Sequence, residues 1–339
     1  MNGWFSILAA ALAFAITAGL GKITVPFLHK LKYGQTIKDI GPTWHQSKQG
    51  TPTMGGVMFI CGIIIAAAIA IPAYFFASGE AQMVTMSSLQ IVKIWAGIAM
   101  GLAYGILGFA DDYIKVVKKR NLGLTAKQKM IAQILIGAAY LGVLMLFGGG
   151  SVTEIPFIGQ ISINPYLYFF LALFIIVGFV NAVNLTDGVD GLASSVTFFA
   201  AVTLMTIGSL RSLFGMSILA ACVAGGCLGF LVWNFFPAKV FMGDTGSLFL
   251  GGLFCALCFG MDLPILIIPV GIIYLCEAGS VMLQVLYFKA THGKRIFKMS
   301  PIHHHFEMSG WSEIKIVTIF SIVTAIFGVI SIALVKLGL

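Results

Sequence analysis

Ten apolar runs, each close to the length that crosses a bilayer, constrain this chain more than any other feature of its sequence. A helix needs about 20 consecutive apolar residues to span the hydrocarbon core. The runs lie at 3–21, 54–77, 91–110, 130–148, 166–183, 192–209, 213–232, 246–260, 264–288 and 314–338. Only 9% of the 339 residues are charged, against about 25% in soluble domains. The sequence therefore predicts an all-α polytopic membrane protein with about ten transmembrane helices, forming a single domain over residues 1–339.

The distribution of Lys and Arg predicts how the chain is oriented in the membrane. If the N-terminus lies outside, only Lys93, Arg211 and Lys336 of the 20 Lys and Arg fall on outer segments. The remaining basic residues fall on inner segments, as expected for loops that stay on the cytoplasmic side. An even number of spans then places both termini outside, in the periplasm. The formal charge of +8 follows this asymmetry and does not require a nucleic-acid partner.

Acidic residues cluster at the inner ends of the predicted spans. Five of the twelve Asp and Glu occur there, in polar, glycine-containing stretches: Asp111, Asp112, Asp187, Asp190 and Asp244. On a helix the adjacent Asp111 and Asp112 point about 100° apart, so they cannot serve one role equally. Lys115 lies within reach of either carboxylate. An interfacial Asp–Lys pair at a helix end explains one such motif, but three acidic motifs on one face favour a functional site.

A polar stretch, GFVNAVNLTDGVDGLAS (178–194), interrupts two long apolar runs and spaces four polar residues three apart. On an ideal helix Asn184 and Asp187 share a face, whereas Asn181 and Asp190 do not. The glycines after Asp187 and Asp190 permit a turn that could bring all four to one pocket. The alternative is a polar interhelical loop without a chemical role.

Carboxylates, lysines and glycines at a membrane surface suit phosphoryl transfer. Mg²⁺ prefers oxygen ligands, usually one or two carboxylates with substrate phosphates. The sequence has no GxxxxGK[ST] motif, which argues against ATP-driven transport. The inner loop 22–53 adds Lys48, and the string GTPTMGG (50–56) offers backbone amides to a phosphate or, alternatively, forms a helix-entry turn.

Three further segments have distinctive patterns. The stretch 149–165, with three glycines and two prolines, predicts a short hairpin in the longest outer loop. The run 264–288 contains two prolines and Gly271, which predict a bent helix that leaves a groove for a lipid chain. In PIHHHFE (301–307), His303 and His305 would share a side if the segment were extended. Those histidines could bind a metal or a phosphate, or simply lie on the surface.

Taken together, the strings DDYIK (111–115), NAVNLTDGVDGL (181–192), FMGDTGSL (241–248) and PIHHHFE (301–307) resemble the phospho-MurNAc-pentapeptide transferases. That family is a branch of the polyprenyl-phosphate N-acetylhexosamine-1-phosphate transferases of bacterial inner membranes. The likeness covers essentially the whole chain, including KQGTPTMGG (48–56). It implies a reaction between UDP-MurNAc-pentapeptide and undecaprenyl phosphate that gives lipid I and UMP, requires Mg²⁺ and belongs to peptidoglycan synthesis. It also suggests a homodimer and an active site at the cytoplasmic interface.

The resemblance also implies roles for individual residues. We expect Asp244, beside Gly243, to be a Mg²⁺ ligand, with Asp187 and Asn184 on the nucleotide or metal side. Asp111 or Asp112 would be the base, with Lys115 beside them. The remaining predicted substrate contacts are Asp190 and Asn234 at the uridine end, Phe241 stacked on uracil, and Lys48, Thr53, Gln284, His303, His304 and His305 on phosphates or sugar.

Two rival functions make different predictions. A GlcNAc-1-phosphate transferase of the same superfamily would keep the chemistry and change the sugar, and the inner loop 289–313 would distinguish it. A secondary transporter would place carboxylates near the bilayer midplane and show an internal repeat. Only Glu277 is predicted at mid-span, and the sequence shows no repeat. The sequence does not decide whether the lipid phosphate attacks directly or an Asp attacks first.

Overall fold

The computed structural model describes residues 3–30, 48, 50–78, 87–117 and 123–338. Within these ranges ten helices are long and apolar enough to cross a membrane, which confirms the predicted all-α polytopic fold. They are α1 (Gly3–Lys30), α2 (Gly56–Ala77), α3 (Ser88–Val117), α4 (Ala126–Leu146), α5 (Pro165–Thr186), α6 (Leu192–Leu210), α7 (Phe214–Asn234), α8 (Gly243–Gly260), α10 (Ile272–Ala290) and α12 (Glu313–Gly338). The membrane orientation stays a prediction. Of the basic residues behind it, Lys32, Lys38, Lys118, Lys119 and Arg120 lie outside the described residues.

The ninth apolar run is broken, as its prolines predict. A 3-10 turn (Pro264–Leu266) leads into the single-turn helix α9 (Ile267–Val270), and α10 begins after Gly271. Proline cannot donate a backbone hydrogen bond, so the ladder is interrupted at this point. The second half of α10 exposes apolar side chains, including Met282 and Leu286. The short helix α11 (Ile302–Glu307) then precedes α12.

Helices α3 and α8 form the central contact of the bundle. The buried fraction of the apolar stretch of α8 is 89%, against 28% for that of α10. Gly97, Gly101 and Gly105 of α3 lie against α8, where a Cβ at Gly97 would be 2.8 Å from the Cβ of Ala256. Small residues let two helix backbones approach closely. This contact positions the two helix ends that carry the acidic residues.

The opposite end of the bundle carries the predicted hairpin and two ion pairs. Strands β1 (Val152–Ile155) and β2 (Gly159–Ser162) pair antiparallel, and the amide of Phe157 at their turn donates to the carbonyl of Gly338 (2.8 Å). Glu154 pairs with Arg211, and Lys93 pairs with Asp262 at 2.5 Å. We call these two contacts the distal ion pairs. The residues predicted to lie outside, including the C-terminal end of α12, therefore share one end of the molecule.

Candidate active site

Three carboxylates converge where the end of α3 meets the start of α8. One oxygen from each of Asp111, Asp112 and Asp244 lies within 4.8 Å of the others. We call these residues the acidic cluster. The approach requires glycine on both helices, because a Cβ at Gly108 would lie 2.1 Å from the Asp244 carbonyl oxygen and one at Gly243 would lie 2.4 Å from an Asp112 oxygen. The backbone contact itself therefore sets the spacing of the carboxylates.

Asp111 and Asp112 are held by different partners, as their angular separation predicts. Asp112 Oδ2 accepts hydrogen bonds from the backbone amide (2.9 Å) and the hydroxyl (2.7 Å) of Thr245, in the first turn of α8. Asp111 accepts from the amide of Leu124 at 2.8 Å and pairs with Lys115 at 2.6 Å. The first carboxylate is thus fixed to a helix N-terminus, where negative charge is favoured, and the second to the segment before α4.

Asp244 is the carboxylate of the cluster that contacts both lysines. Its Oδ2 lies 2.9 Å from the ammonium of Lys115 and 2.8 Å from that of Lys129, while Oδ1 accepts from the amide nitrogen of Asn184 at 2.7 Å. The Asn184 amide also donates to Ser247 at 2.8 Å. Three carboxylates and two ammonium groups therefore share one small volume, a concentration of charge that suits an anionic substrate and a cation together.

Sequence reasoning missed Lys129, although one signal was present. Lys129 lies in the first turn of α4, which starts at Ala126 after a capping box formed by Thr125 and Gln128. A positive charge at a helix N-terminus opposes the helix dipole, and the sequence places both Lys127 and Lys129 there. In the structure the side chain of Lys129 reaches Asp244, whereas Lys127 is exposed.

The acidic cluster fits Mg²⁺ by the chemistry of its donors. All three side chains offer carboxylate oxygens, the ligand type that Mg²⁺ prefers. No other group of three His, Cys, Asp or Glu within the described ranges approaches as closely. Lys115 and Lys129 remain beside the site, where they would contact the phosphates that usually complete the coordination of this ion. Mg²⁺ dependence itself belongs to the proposal below.

Asp187 ends α5 beside this cluster, without joining it. The side chain is half-buried, and it is not among the three carboxylates whose oxygens lie within 4.8 Å. Burial, followed by the negative charges of Asp244, Asp112 and Asp190, raises the pKa of Asp187 to about 8, while a hydrogen bond from the backbone of Gly243 opposes this shift. Its predicted role as a metal ligand stays a prediction. A bound cation would favour the ionised carboxylate.

The turn after α5 meets the loop that carries Lys48. Asp190 lies 2.7 Å from the ammonium of Lys48 and accepts from the amide of Ala238 at 2.9 Å. Glu313, at the start of α12, lies 2.6 Å from the same ammonium and accepts from the amide of Asp190 at 3.1 Å. Asn234 accepts from Gly191 and donates to the carbonyl of Val240, so it fixes this turn from inside. Sequence reasoning missed Glu313.

The glycine-rich string 50–56 is a helix-entry turn. The amides of Gly55 and Gly56 donate to the carbonyls of Phe241 (2.8 Å) and Met242 (3.1 Å), and the amide of Phe241 donates to Pro52 at 2.8 Å. These two glycine amides are therefore committed to backbone pairing rather than to a phosphate. The pairing places Thr53 against Gly243 and holds Phe241 half-buried two residues before the N-terminus of α8.

Asn181 does not join the other three polar residues of its stretch. Its amide donates to the side chain of Gln133 in α4 at 2.7 Å, one helical turn before Asn184. Helix α5 continues to Thr186, so Asn181 and Asn184 both lie on the helix and the turn begins only after Thr186. The expectation of a pocket shared by all four is wrong for Asn181.

The three histidines lie on helix α11 rather than on an extended segment, so the expectation that His303 and His305 share a side is wrong. His303 is fully buried, with Nδ1 3.0 Å from Glu277. His304 Nδ1 lies 2.6 Å from Glu307, and His305 Nδ1 accepts from the amide of Lys298 at 3.1 Å. The structure brings the three rings into one helix with three different partners.

Gln284 is bound to the loop between α10 and α11. Its Oε1 accepts from the amides of Ile296 and Phe297 at 3.0 Å each, and its Nε2 donates to the carbonyl of Phe297 at 3.1 Å. The predicted contact of Gln284 with substrate stays a prediction. What the structure adds is that this side chain holds the basic loop against α10.

The sequences of known proteins decide the family. The profile of glycosyl transferase family 4 matches residues 94–261, and signature 1 of the phospho-N-acetylmuramoyl-pentapeptide-transferases matches residues 48–60. The phospho-N-acetylmuramoyl-pentapeptide-transferase of Desulforamulus reducens is 45% identical over 327 residues, which cover 95% of this chain and 93% of the relative. The chain belongs to the phospho-N-acetylmuramoyl-pentapeptide-transferase family.

Two other transferases of this family support the assignment. The protein of Listeria monocytogenes is 44% identical over 99% of both chains, and that of Bacillus subtilis is 45% identical over 91% of both chains. The family 4 profile contains the whole acidic cluster, and the signature contains Lys48 and Thr53. Family membership confirms the predicted resemblance and argues against the transporter.

Proposed function

We propose that this family member transfers phospho-MurNAc-pentapeptide from UDP-MurNAc-pentapeptide to undecaprenyl phosphate, which yields lipid I and UMP in the first membrane step of peptidoglycan synthesis. The observation that carries the proposal is the acidic cluster with its two lysines, in a chain 45% identical to transferases of that name. Such a reaction joins a soluble nucleotide and a membrane lipid, which fits a site at the ends of the spans.

The residues of the cluster suit three tasks in this reaction. Asp111 or Asp112 accepts the proton of the lipid phosphate. Lys115 and Lys129, each within 2.9 Å of Asp244, hold the phosphates by charge neutralisation. Asp244, with Asp187 as a second predicted ligand, holds Mg²⁺. When bound, that ion polarises phosphoryl oxygens and neutralises the charge that develops on them.

We infer that the lipid phosphate attacks directly. Its oxygen forms a bond to the β-phosphorus of the nucleotide, the bond from that phosphorus to the bridging oxygen breaks, and UMP leaves with the oxygen. The proton passes to the aspartate. Asp111 and Asp112 already have close partners in Leu124, Lys115 and Thr245, which suits a base better than a mobile nucleophile. An aspartyl-phosphate trapped with the UDP-sugar alone would contradict the direct route.

The nucleotide end is proposed around the turn after α5. Asp190 and Asn234 would face the uridine and Phe241 would stack on uracil, with Asn184 on the phosphate side. The predicted contacts to phosphates and sugar are Lys48, Thr53, Gln284, His303, His304 and His305. His303 and Asn234 are 0% and 1% exposed. In this conformation they would therefore act through neighbouring residues and not by direct contact with substrate.

The remaining features of the proposal concern location and assembly. The ten spans make this a multi-pass membrane protein. We place it in the bacterial cytoplasmic membrane as a homodimer, with the acidic cluster on the cytoplasmic side and both termini outside. Cysteine labelling at Gly338 and at Lys127 from either side of sealed vesicles would test this orientation.

UMP release by the purified protein in detergent tests the function. The assay contains undecaprenyl phosphate and Mg²⁺, and it compares UDP-MurNAc-pentapeptide with UDP-GlcNAc. We expect UMP release with UDP-MurNAc-pentapeptide and none with UDP-GlcNAc. Turnover with UDP-GlcNAc instead would indicate a GlcNAc-1-phosphate transferase of the same superfamily. No release of UMP with either substrate would contradict the proposal.

A further inference from the structure

Glu277 and His303 form a buried pair that the proposed chemistry does not use. Both residues are 0% exposed, and Oε2 of Glu277 lies 3.0 Å from Nδ1 of His303 and 3.4 Å from its backbone amide. An ionised Glu277 can only accept hydrogen bonds, and in that state the contact requires a proton on Nδ1. Glu277 therefore fixes both the start of α11 and the orientation of the imidazole.

The same face of α10 holds the preceding loop. Gln284 lies two turns after Glu277 and binds the backbone of Ile296 and Phe297 through both ends of its amide. Two buried polar side chains of α10 thus attach the returning chain at two points, about 10 Å apart along the helix axis. This arrangement fixes α11, and the histidine ring with it, relative to α10.

The far side of the His303 ring lies against the turn that follows α5. A Cβ at Gly188 would be 2.2 Å from Nε2 and 2.7 Å from Cε1 of His303. The Nε2 atom is buried and has no hydrogen-bond partner among the described residues, and neither has Oε1 of Glu277. The ring is therefore wedged between Glu277 and the backbone of residues 187–191, and its position limits how close that turn can come to α10.

We propose that Glu277 is a positioning residue that acts through His303 to set the turn 187–191 and, with it, the affinity for the nucleotide substrate. The turn carries Asp187 beside the acidic cluster, and Asp190 in contact with Lys48 at 2.7 Å. Displacement of the ring would move both carboxylates together. The identity of that substrate rests on the proposed function. The contact between the His303 ring and the turn does not depend on it.

Steady-state kinetics with both substrates varied test the proposal. Glu277→Ala is expected to raise the KM for UDP-MurNAc-pentapeptide roughly tenfold, the scale seen when a partner that orients a ligand is removed, and to leave the KM for undecaprenyl phosphate unchanged. Glu277→Gln keeps an acceptor for Nδ1–H, so it is expected to restore most of the affinity. A merely structural role would reduce the amount of active enzyme and move neither KM. That result would overturn the proposal.

A second variant approaches the same contact from the other side. Gly188→Ala adds a methyl group against Nε2 and should raise the same KM, whereas Gly178→Ala in α5, where nothing lies within 4 Å, is the matched control. Because Glu277 and Gly188 act on one ring, their effects should be strongly non-additive in the double variant. Additive effects would contradict the packing of the His303 ring between Glu277 and Gly188.

A spectroscopic readout separates this inference from the proposed function. In protein labelled with ¹⁵N-histidine, His303 should show a protonated Nδ1 in the wild type and in Glu277→Gln, and a changed nitrogen spectrum in Glu277→Ala, with His303→Gln identifying the signal. If the wild type releases no UMP but the spectra behave this way, the function fails and the positioning stands. An unchanged His303 spectrum in Glu277→Ala would overturn the positioning.

Discussion

The two ends of the α3–α8 pair differ in how their charged residues are paired. At one end each distal ion pair joins one base to one acid, Lys93 to Asp262 and Arg211 to Glu154. At the other end three carboxylates and two lysines share one volume, and Asp244 alone contacts both lysines. One-to-one pairs are complete without any further partner. The shared cluster keeps an excess of one carboxylate over its lysines, which a cation would balance, so charge convergence distinguishes the functional end from the structural one.

The largest difference between the two ends is expected when Asp244 is removed. Asp244→Ala should lower UMP release about 1000-fold, because it removes the ligand that holds the cation beside both lysines. Asp262→Asn, at the other end of α8, is the matched control and should retain near wild-type turnover in the same assay. Comparable losses in both variants would show that the two ends do not differ in function.

Removal of the unforeseen lysine should have the next largest effect. Lys129→Met should lower kcat about 100-fold, because a preorganised positive group 2.8 Å from Asp244 is lost. Lys127, two residues earlier in α4, is exposed, and Lys127→Met serves as the control for charge and helix stability. If the two variants retain equal kcat, Lys129 has no part in the chemistry.

The pH dependence of stability sharpens the comparison at Asp187. Its pKa is raised to about 8 in the folded chain, against about 3.9 in an unfolded one. The folded state therefore holds a proton that the unfolded state releases, and the free energy of unfolding falls as pH rises from about 4 through 8. The unfolding temperature of the wild type, relative to Asp187→Asn, should therefore drop as the pH is raised from 5 to 9 in EDTA. Parallel pH curves for the two proteins would contradict the raised pKa.

The smallest effect is expected at the distal ion pairs. Glu154→Gln removes the charge partner of Arg211 and should lower the unfolding temperature by roughly 2 °C, about the shift that 1 kcal/mol produces in a large domain. UMP release per folded molecule should not change. A loss of turnover that exceeds the loss of folded protein would assign the hairpin end a functional role.

The sequence predicts what depends on neighbouring residues. Hydropathy is a local property, so all ten spans are confirmed, as are the hairpin at 149–165 and the break near Gly271.

The parts that escaped prediction depend on distant partners. Lys129 contacts a residue 115 positions away and Lys48 contacts Glu313, 265 positions away, so no local pattern shows which residue either lysine meets. Asn181 was grouped with Asn184 because the spacing alone does not show where α5 ends. The histidine triplet was treated as extended, although Glu277, which accepts from the amide of His303 in the first turn of α11, lies on another helix.

The glycine contact between α3 and α8 also determines how the protein can respond to bilayer thickness. A Cβ at Gly97 or Gly108 would collide with α8, so the two helices pack with their backbones in close contact, and we expect them to move as one body. A thinner or thicker bilayer must then be matched by tilting the pair as a unit or by deforming the lipid around it. The acidic cluster therefore keeps its geometry while its depth in the membrane changes, and lipid thickness is expected to alter access of the lipid substrate before it alters the chemistry.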